Sequence, residues 1–319
     1  CSIQYELEKT TRQIEPLSQL LFFSKKIFSI VTLMNRGNIE CNAPHVIVEA
    51  ALRQLINEKK YSEALRISKK YQVPFSKFIS LGEIQLDVLC SQIQDNQLRS
   101  CMSVLHPFDT DENGYPLNDS KMQLNFVLSF LSFILKVDVQ YNLSEKEIKV
   151  PKYESNREEM ALFGTTVCIC FVLLECPVDA VRFSCSFSSS EKVKECITFL
   201  LTLYDNNSLY DISLKTYDTK CIASVGLITM KEPSLYVPFI EELDATENEN
   251  LKRAKIDEAA SDPPMAIVHY SKAGPEYDEK SLYIIERDSL FDVGLRSYPE
   301  GSPTWLEIIK MKLSYLCNM

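Results

Sequence analysis

From Pro44 onward, apolar residues recur at helical spacing. Ile47, Ala51 and Leu55 form one stripe, and Val48, Leu52 and Ile56 lie beside it. Pro44 suits a first helical turn, where its missing N–H costs nothing. A second helix follows, with Tyr61, Ala64, Leu65 and Ser68 on one face. The same period predicts helices around 84–104, 121–136, 157–174, 190–204, 207–229, 234–245, 248–259, 264–271, 276–285, 288–298 and 303–316. Pro233, Pro238, Pro263-Pro264, Gly274-Pro275 and Pro303 punctuate the second half at short intervals. Short helices joined by tight turns predict stacked antiparallel hairpins, each burying its stripe on its neighbours.

Residues 1–42 follow another pattern. Leu20–Phe23 and Ile27–Met34 are β-branched and aromatic runs separated by Ser24-Lys25-Lys26, and they predict strands. Two short strands alone are only marginally stable. They therefore either finish an upstream β domain or pack on the helices that follow. The expected architecture is all-α, a tetratricopeptide-like solenoid over 43–319 preceded by a short β remnant over 1–42. Residues 105–120 and 138–156 are polar and predict surface or mobile loops, the second offering a sub-boundary within the solenoid.

One local pattern returns at irregular intervals. An aromatic residue is followed three positions later by a small one, then an aliphatic one, and often a further aromatic. It appears as Tyr61…Ala64-Leu65, Tyr210…Ser213-Leu214…Tyr217 and Phe291…Gly294-Leu295…Tyr298, with a partial copy at Ala266-Ile267…Tyr270. Small residues let two helix backbones approach closely while aromatics fill the groove beside the crossing, as in tetratricopeptide-type hairpins.

Composition narrows the class. Only 8 of 319 residues are glycine, where average usage is about 7%. Barrels, Rossmann units and P-loops spend glycine on turns and phosphate cradles, so helices are favoured. The 44 acidic and 34 basic residues leave a net charge of −10, which disfavours polyanions as direct partners. The basic run over Glu49–Lys70 and the acidic run over 241–258 therefore read as solvated helix faces. Eleven scattered cysteines read as reduced, buried thiols, placing the chain in the cytoplasm or nucleus. The uncharged runs Met122–Leu135 and Ala161–Leu174 are 14 residues each, short of the roughly 18 that span a bilayer, and predict buried core helices. Because the chain starts at Cys1, a piece of something longer is expected.

Catalytic and ligand signatures are incomplete. Asp109-x-Asp111-x-Asn113-Gly114 matches the first half of an EF-hand loop, but position twelve is Ser120 where a bidentate Glu is required. Cys168-x-Cys170, Cys176 and Cys185 sit in an apolar helical stretch without a nearby histidine, which suits core thiols better than zinc ligands. His45, His106 and His269 enter no known metal or nucleophile motif. No catalytic, metal-binding or cofactor-binding residue is expected, although a site dispersed along the chain would escape this test.

Several segments, taken in order, carry a family likeness. They are Met34–Glu40, Tyr61–Ala64, Ser208–Asp218, Lys231–Phe239, Lys255–Asp257, Ala266–Tyr277 and Leu290–Tyr298. Gly274-Pro275-Glu276-Tyr277 is the most specific of them. Together they resemble the helical middle of the Elongator complex protein 1 family, the largest, scaffold-type subunit of Elongator. The likeness is strong over 204–299, fair over 27–80 and weak between about 85 and 200. It implies a non-catalytic scaffold between two amino-terminal propellers and a carboxy-terminal dimerisation region. The implied partners are the radical-SAM acetyltransferase subunit and the WD40 second subunit. The assembly modifies wobble uridine in tRNA, which this region would meet only indirectly, with no membrane involved. A trafficking or nuclear-pore scaffold is the alternative, since those proteins also join propellers to helical solenoids.

Overall fold

A computed structural model of the protein describes residues 16–24, 29–80, 83–102, 118–142, 147–151, 158–229 and 232–317. The half EF-hand at Asp109–Gly114 and His106 lie outside the described residues. The chain divides into two compact units, residues 1–176 and 177–319. It is mostly helical, with small antiparallel sheets found, among the described residues, in the first unit, and successive helices pack as pairs.

The first unit opens with β1 (Gln19–Ser24), β2 (Ser29–Leu33) and β3 (Ile39–Asn42), an antiparallel sheet in that order. The third strand was not expected from the alternation. It forms because Gly37 turns the chain, with Met34 N–H donating to Asn38 O at 2.7 Å, and pairs Ile39 with Leu33. β1 keeps its apolar side chains outside: Leu20 is 66% and Phe22 54% exposed.

Helices α1 (His45–Asn57) and α2 (Tyr61–Lys70) form the first pair. Of the two stripes on α1, Val48, Leu52 and Ile56 are buried. Tyr61, Ala64 and Leu65 are buried on α2. Tyr61 is also fixed by polar contacts: its N–H donates to Gln92 Oε1 at 2.8 Å, and its hydroxyl accepts from Gln85 N–H at 2.9 Å. The helices α3 (Phe75–Ser80), α4 (Leu86–Gln92), α5 (Asp95–Met102) and α6 (Asn118–Leu135) follow. Phe75, Phe126, Phe130 and Phe163 meet in a ladder with centroids 6.0, 6.4 and 6.0 Å apart, the outer two contacts edge to face and the middle one stacked.

After α7 (Glu158–Leu162), α8 (Gly164–Leu173) is buried almost all round. Its first turn is held by Asp95, which accepts from Thr166 N–H at 3.0 Å and Thr166 Oγ1 at 2.6 Å, and from Thr165 Oγ1. Cys168 and Cys170 lie in the core, where burial raises the Cys170 thiol pKa. Residues 138–156 were expected to be a loop, yet they contain β4 (Gln140–Asn142) paired antiparallel with β5 (Glu147–Lys149). Buried Val139 and Ile148 anchor this pair, and they were hidden among polar neighbours.

The second unit runs through α9 (Pro177–Cys185), α10 (Ser190–Leu200), α11 (Asn206–Leu214), α12 (Thr219–Ile228), α13 (Pro233–Ala245), α14 (Glu249–Ala259), α15 (Pro263–Ala273), α16 (Asp278–Arg287), α17 (Phe291–Ser297) and α18 (Pro303–Cys317). The single helix expected over 207–229 is two, because Tyr217 takes φ 55° and Asp218 caps α12. Neither α3 nor α9 was anticipated. No helix of the described residues is long and apolar enough to cross a membrane.

The helix ends explain the scarcity of glycine. At Lys59, Gln72, Glu175, Ser261 and Ser289 the backbone turns left-handed, with φ between 54° and 58°. In each case the following N–H reaches back to the last turn at 2.9 Å: Lys60 to Leu55, Val73 to Ser68, Cys176 to Phe171, Asp262 to Asp257 and Leu290 to Ile285. These are Schellman stops, normally the place of glycine, built here with other residues.

Candidate functional site

In the second unit, buried Asp257 and His269 lie together between α14 and α15, next to the chain that leaves α11. The end of α11 turns at Tyr217 and sends its ring across to α14. There Asp257, on the same face as core residue Ala254, is only 3% exposed. Tyr217 donates its hydroxyl to Asp257 Oδ1 at 2.6 Å. His269 of α15, 7% exposed, places Nδ1 2.5 Å from Asp257 Oδ2. The carboxylate as acceptor holds that ring in the tautomer with its hydrogen on Nδ1. Tyr217 and His269 meet edge to face at 5.7 Å, and the Arg253 guanidinium lies 5.6 Å from the Tyr217 centroid. Burial raises the Tyr217 phenol pKa, and Asp257 raises it further.

A second relay runs alongside. Tyr270 donates to Glu258 Oε2 at 2.8 Å, Lys280 donates to the same oxygen at 2.6 Å, and the Lys280 ammonium lies 5.0 Å from the Tyr270 ring centroid. At the far end of the pair, Asn248 caps α14 by accepting from Asn250 and Leu251 N–H. Its amide donates to Ala273 O, the end of α15, at 2.7 Å. Both ends of the α14–α15 pair are therefore tied by side chains, with Ala254, Ala266 and Ile267 packed between.

The motif Gly274–Tyr277 closes this arrangement. Gly274 takes φ 142°, and a Cβ there would lie 2.5 Å from Glu276 Oε2. Pro275–Tyr277 then makes a single 3₁₀ turn that sets the Tyr277 ring 6.3 Å from Tyr270. Gly274→Ala is expected to lower unfolding stability by about 1–3 kcal/mol, because its backbone strain remains even if Glu276 moves aside. Chemical denaturation of Gly274→Ala with and without Glu276→Ala checks this, and full recovery by the second change would locate the effect in the clash instead.

The other recurrent positions fall as follows. Ser213 and Leu214 are buried, Ser213 donating to Tyr210 O at 2.6 Å, while Tyr210 is half-buried. Ala266, Tyr298 and half-buried Leu295 join one cluster with Ile284, Ile285, Phe291 and Ile308. Gly294 is buried in α17, where a Cβ would sit 2.6 Å from Ile285 Cδ1 and 3.2 Å from Ile308 Cδ1. Tyr61, Ala64 and Leu65 belong to the first unit and take no part. Sequence reasoning missed the Asp257–His269 pair, although a spacing of 12 residues suits partners facing each other across a short hairpin. It also missed Gly226, whose Cβ would touch the Tyr236 ring at 3.1 Å.

Burial pushes the Tyr298 phenol pKa up to about 12. The folded value is above the ordinary value of about 10, so the neutral phenol stabilises the fold fully below pH ~10, and this contribution is lost as pH rises toward 12. Stability measured between pH 9 and 12 should fall more steeply in the wild type than in Tyr298→Phe. Parallel curves would refute this.

This arrangement can lock helices in register. Asp257 and His269 are both buried and spent on each other and on Tyr217. Among the described residues, no cluster of three His, Cys, Asp or Glu is placed to hold a metal.

Comparison with known proteins gives the same direction along nearly the whole chain. No family model matches it. Elongator complex protein 1 from Oryctolagus cuniculus is 24% identical over 308 residues, covering 93% of this chain and 22% of the relative. Putative elongator complex protein 1 from Xenopus laevis is 25% identical over 303 residues, covering 92% and 25%. Elongator complex protein 1 from Saccharomyces cerevisiae is 24% identical over 317 residues, covering 91% and 23%. The chain is a distant homologue of Elongator complex protein 1. It spans about a quarter of the length of the curated Elongator complex protein 1 relatives it matches. The matches run through 85–200 as well, where the motif-level likeness was weak.

Proposed function

We propose that this chain is a section of a non-catalytic, Elongator-type scaffold that holds other subunits in place for modification of wobble uridine in tRNA. The observation that carries this reading is the co-linear match to Elongator complex protein 1 across more than nine-tenths of the chain, in animals and yeast alike. Side chains that look catalytic by type, Asp257 and His269, are buried in helix packing beside half-buried Tyr217, which suits a support more than a reaction centre. The radical-SAM acetyltransferase subunit and the WD40 second subunit are the partners of choice, with dimerisation through regions outside this chain, in the cytoplasm or nucleus. The exposed apolar residues of β1 suit strands that join a larger β domain.

The full-length protein, tagged and isolated from its own cells, should co-purify with the acetyltransferase subunit, and deletion of its gene should abolish the wobble-uridine modification. Normal modification after deletion would sink the proposal.

A further inference from the structure

The chain is acidic overall, yet one groove in the second unit has a cationic rim. Helices α9, α10 and α12 pack on one another, and a cavity of about 590 Å³ opens between α10 and α12. Lys220, Ala223, Ser224 and Leu227 line it at helical spacing, so one face of α12 forms its wall. The middle of that wall, Ala223 and Ser224, is small enough to let another helix come close. Its end is Leu227, 68% exposed. On the facing helix stand Val193, buried, and Lys194, exposed.

The charges on this rim are not balanced from within. Glu191 is the one carboxylate in the lining. Glu195 is engaged by Lys192 at 2.6 Å, and neither it nor Asp218, the α12 cap, lines the groove, so the two lysines outnumber the one carboxylate there. Lys194 and Lys220 enter no salt bridge with a described residue.

The geometry points to a docking groove for an amphipathic helix of a partner protein, with its aliphatic stripe on Ala223, Ser224 and Leu227 and its aspartates or glutamates opposite Lys194 and Lys220. Three physical points select this occupant. The groove is walled by helices whose backbone groups are already paired, so an extended peptide would find no sheet edge for its own N–H and C=O groups. A wall of small residues flanked by one large apolar side chain is what helix-in-groove packing requires, with anchors at i, i+3, i+4 and i+7. A nucleic acid would gain from two lysines but nothing from Leu227, and would meet the repulsion of an acidic chain. The groove shares no lining residue with the Asp257 seam, and the inference stands independently of the Elongator reading.

The test uses the full-length protein and two labelled helical peptides of about five turns. Both carry the same leucine stripe, one flanked by glutamates and the other by lysines. Fluorescence anisotropy at low salt should show the glutamate peptide binding at least about tenfold more tightly. Lys194→Glu with Lys220→Glu should reverse that preference, and Ser224→Trp, which fills the groove, should remove binding of both. Thermal melts of each variant establish that it is folded. Failure of the glutamate peptide to bind, equal binding of the two peptides, or binding unchanged in either variant would overturn the inference.

Discussion

Gly294→Leu is expected to unfold the second unit several degrees below the wild type, with a loss of about 1–3 kcal/mol. The position is closed on the side where a side chain would grow: even a methyl would sit 2.6 Å from Ile285 Cδ1 and 3.2 Å from Ile308 Cδ1. Ile285 and Ile308 are fully buried, so neither can swing into water to make room. Gly294→Ala should cost less, since a small rotation about the Ile285 Cβ–Cγ1 bond carries Cδ1 away and relieves part of the contact. Thermal unfolding of the two variants beside the wild type reads the difference. A Gly294→Leu protein that melts with the wild type would mean that α17 does not approach α16 and α18 this closely.

Asp257→Ala should cost about 2–4 kcal/mol in urea unfolding, because it leaves the buried His269 Nδ1–H and the hydroxyl of half-buried Tyr217 without their acceptor. The Tyr217 hydroxyl and His269 Nδ1 both point at this carboxylate, at 2.6 and 2.5 Å. Burying an unpaired polar group is worse than never having placed one there. The same Asp257→Ala change made on a Tyr217→Phe, His269→Leu background should therefore cost much less. Equal losses in both backgrounds would show that the three side chains do not act as a unit.

Much of the helical order is legible in the hydrophobic pattern. The 3.6 period over 45–57 marked the helix and two adjacent apolar stripes, of which the structure buries Val48, Leu52 and Ile56, and the uncharged run 161–174 held the buried α8. What escaped was local and has physical reasons. The break at Lys215–Asp218 has neither glycine nor proline; it depends on Tyr217 turning left-handed so that its ring can reach Asp257. The β4–β5 pair rests on few apolar residues in a polar stretch, too few for an alternation to show. α9, only nine residues long, begins at Pro177 two residues past the Glu175 stop, and no helix was expected between 174 and 190. The Asp257–His269 contact needed two helices in register, and periodicity along one helix carries no information about that.

The stops at Lys59, Gln72, Glu175, Ser261 and Ser289 have a wider consequence. A left-handed backbone at an ordinary residue carries a penalty of about 1–2 kcal/mol, and it persists because neighbouring packing outweighs it. A hairpin removed from its companions would lose that compensation, and its ends would fray or run on. The separate rods are thus not modules that could be shuffled freely: punctuation here belongs to the assembled whole, and each boundary is written by what surrounds it.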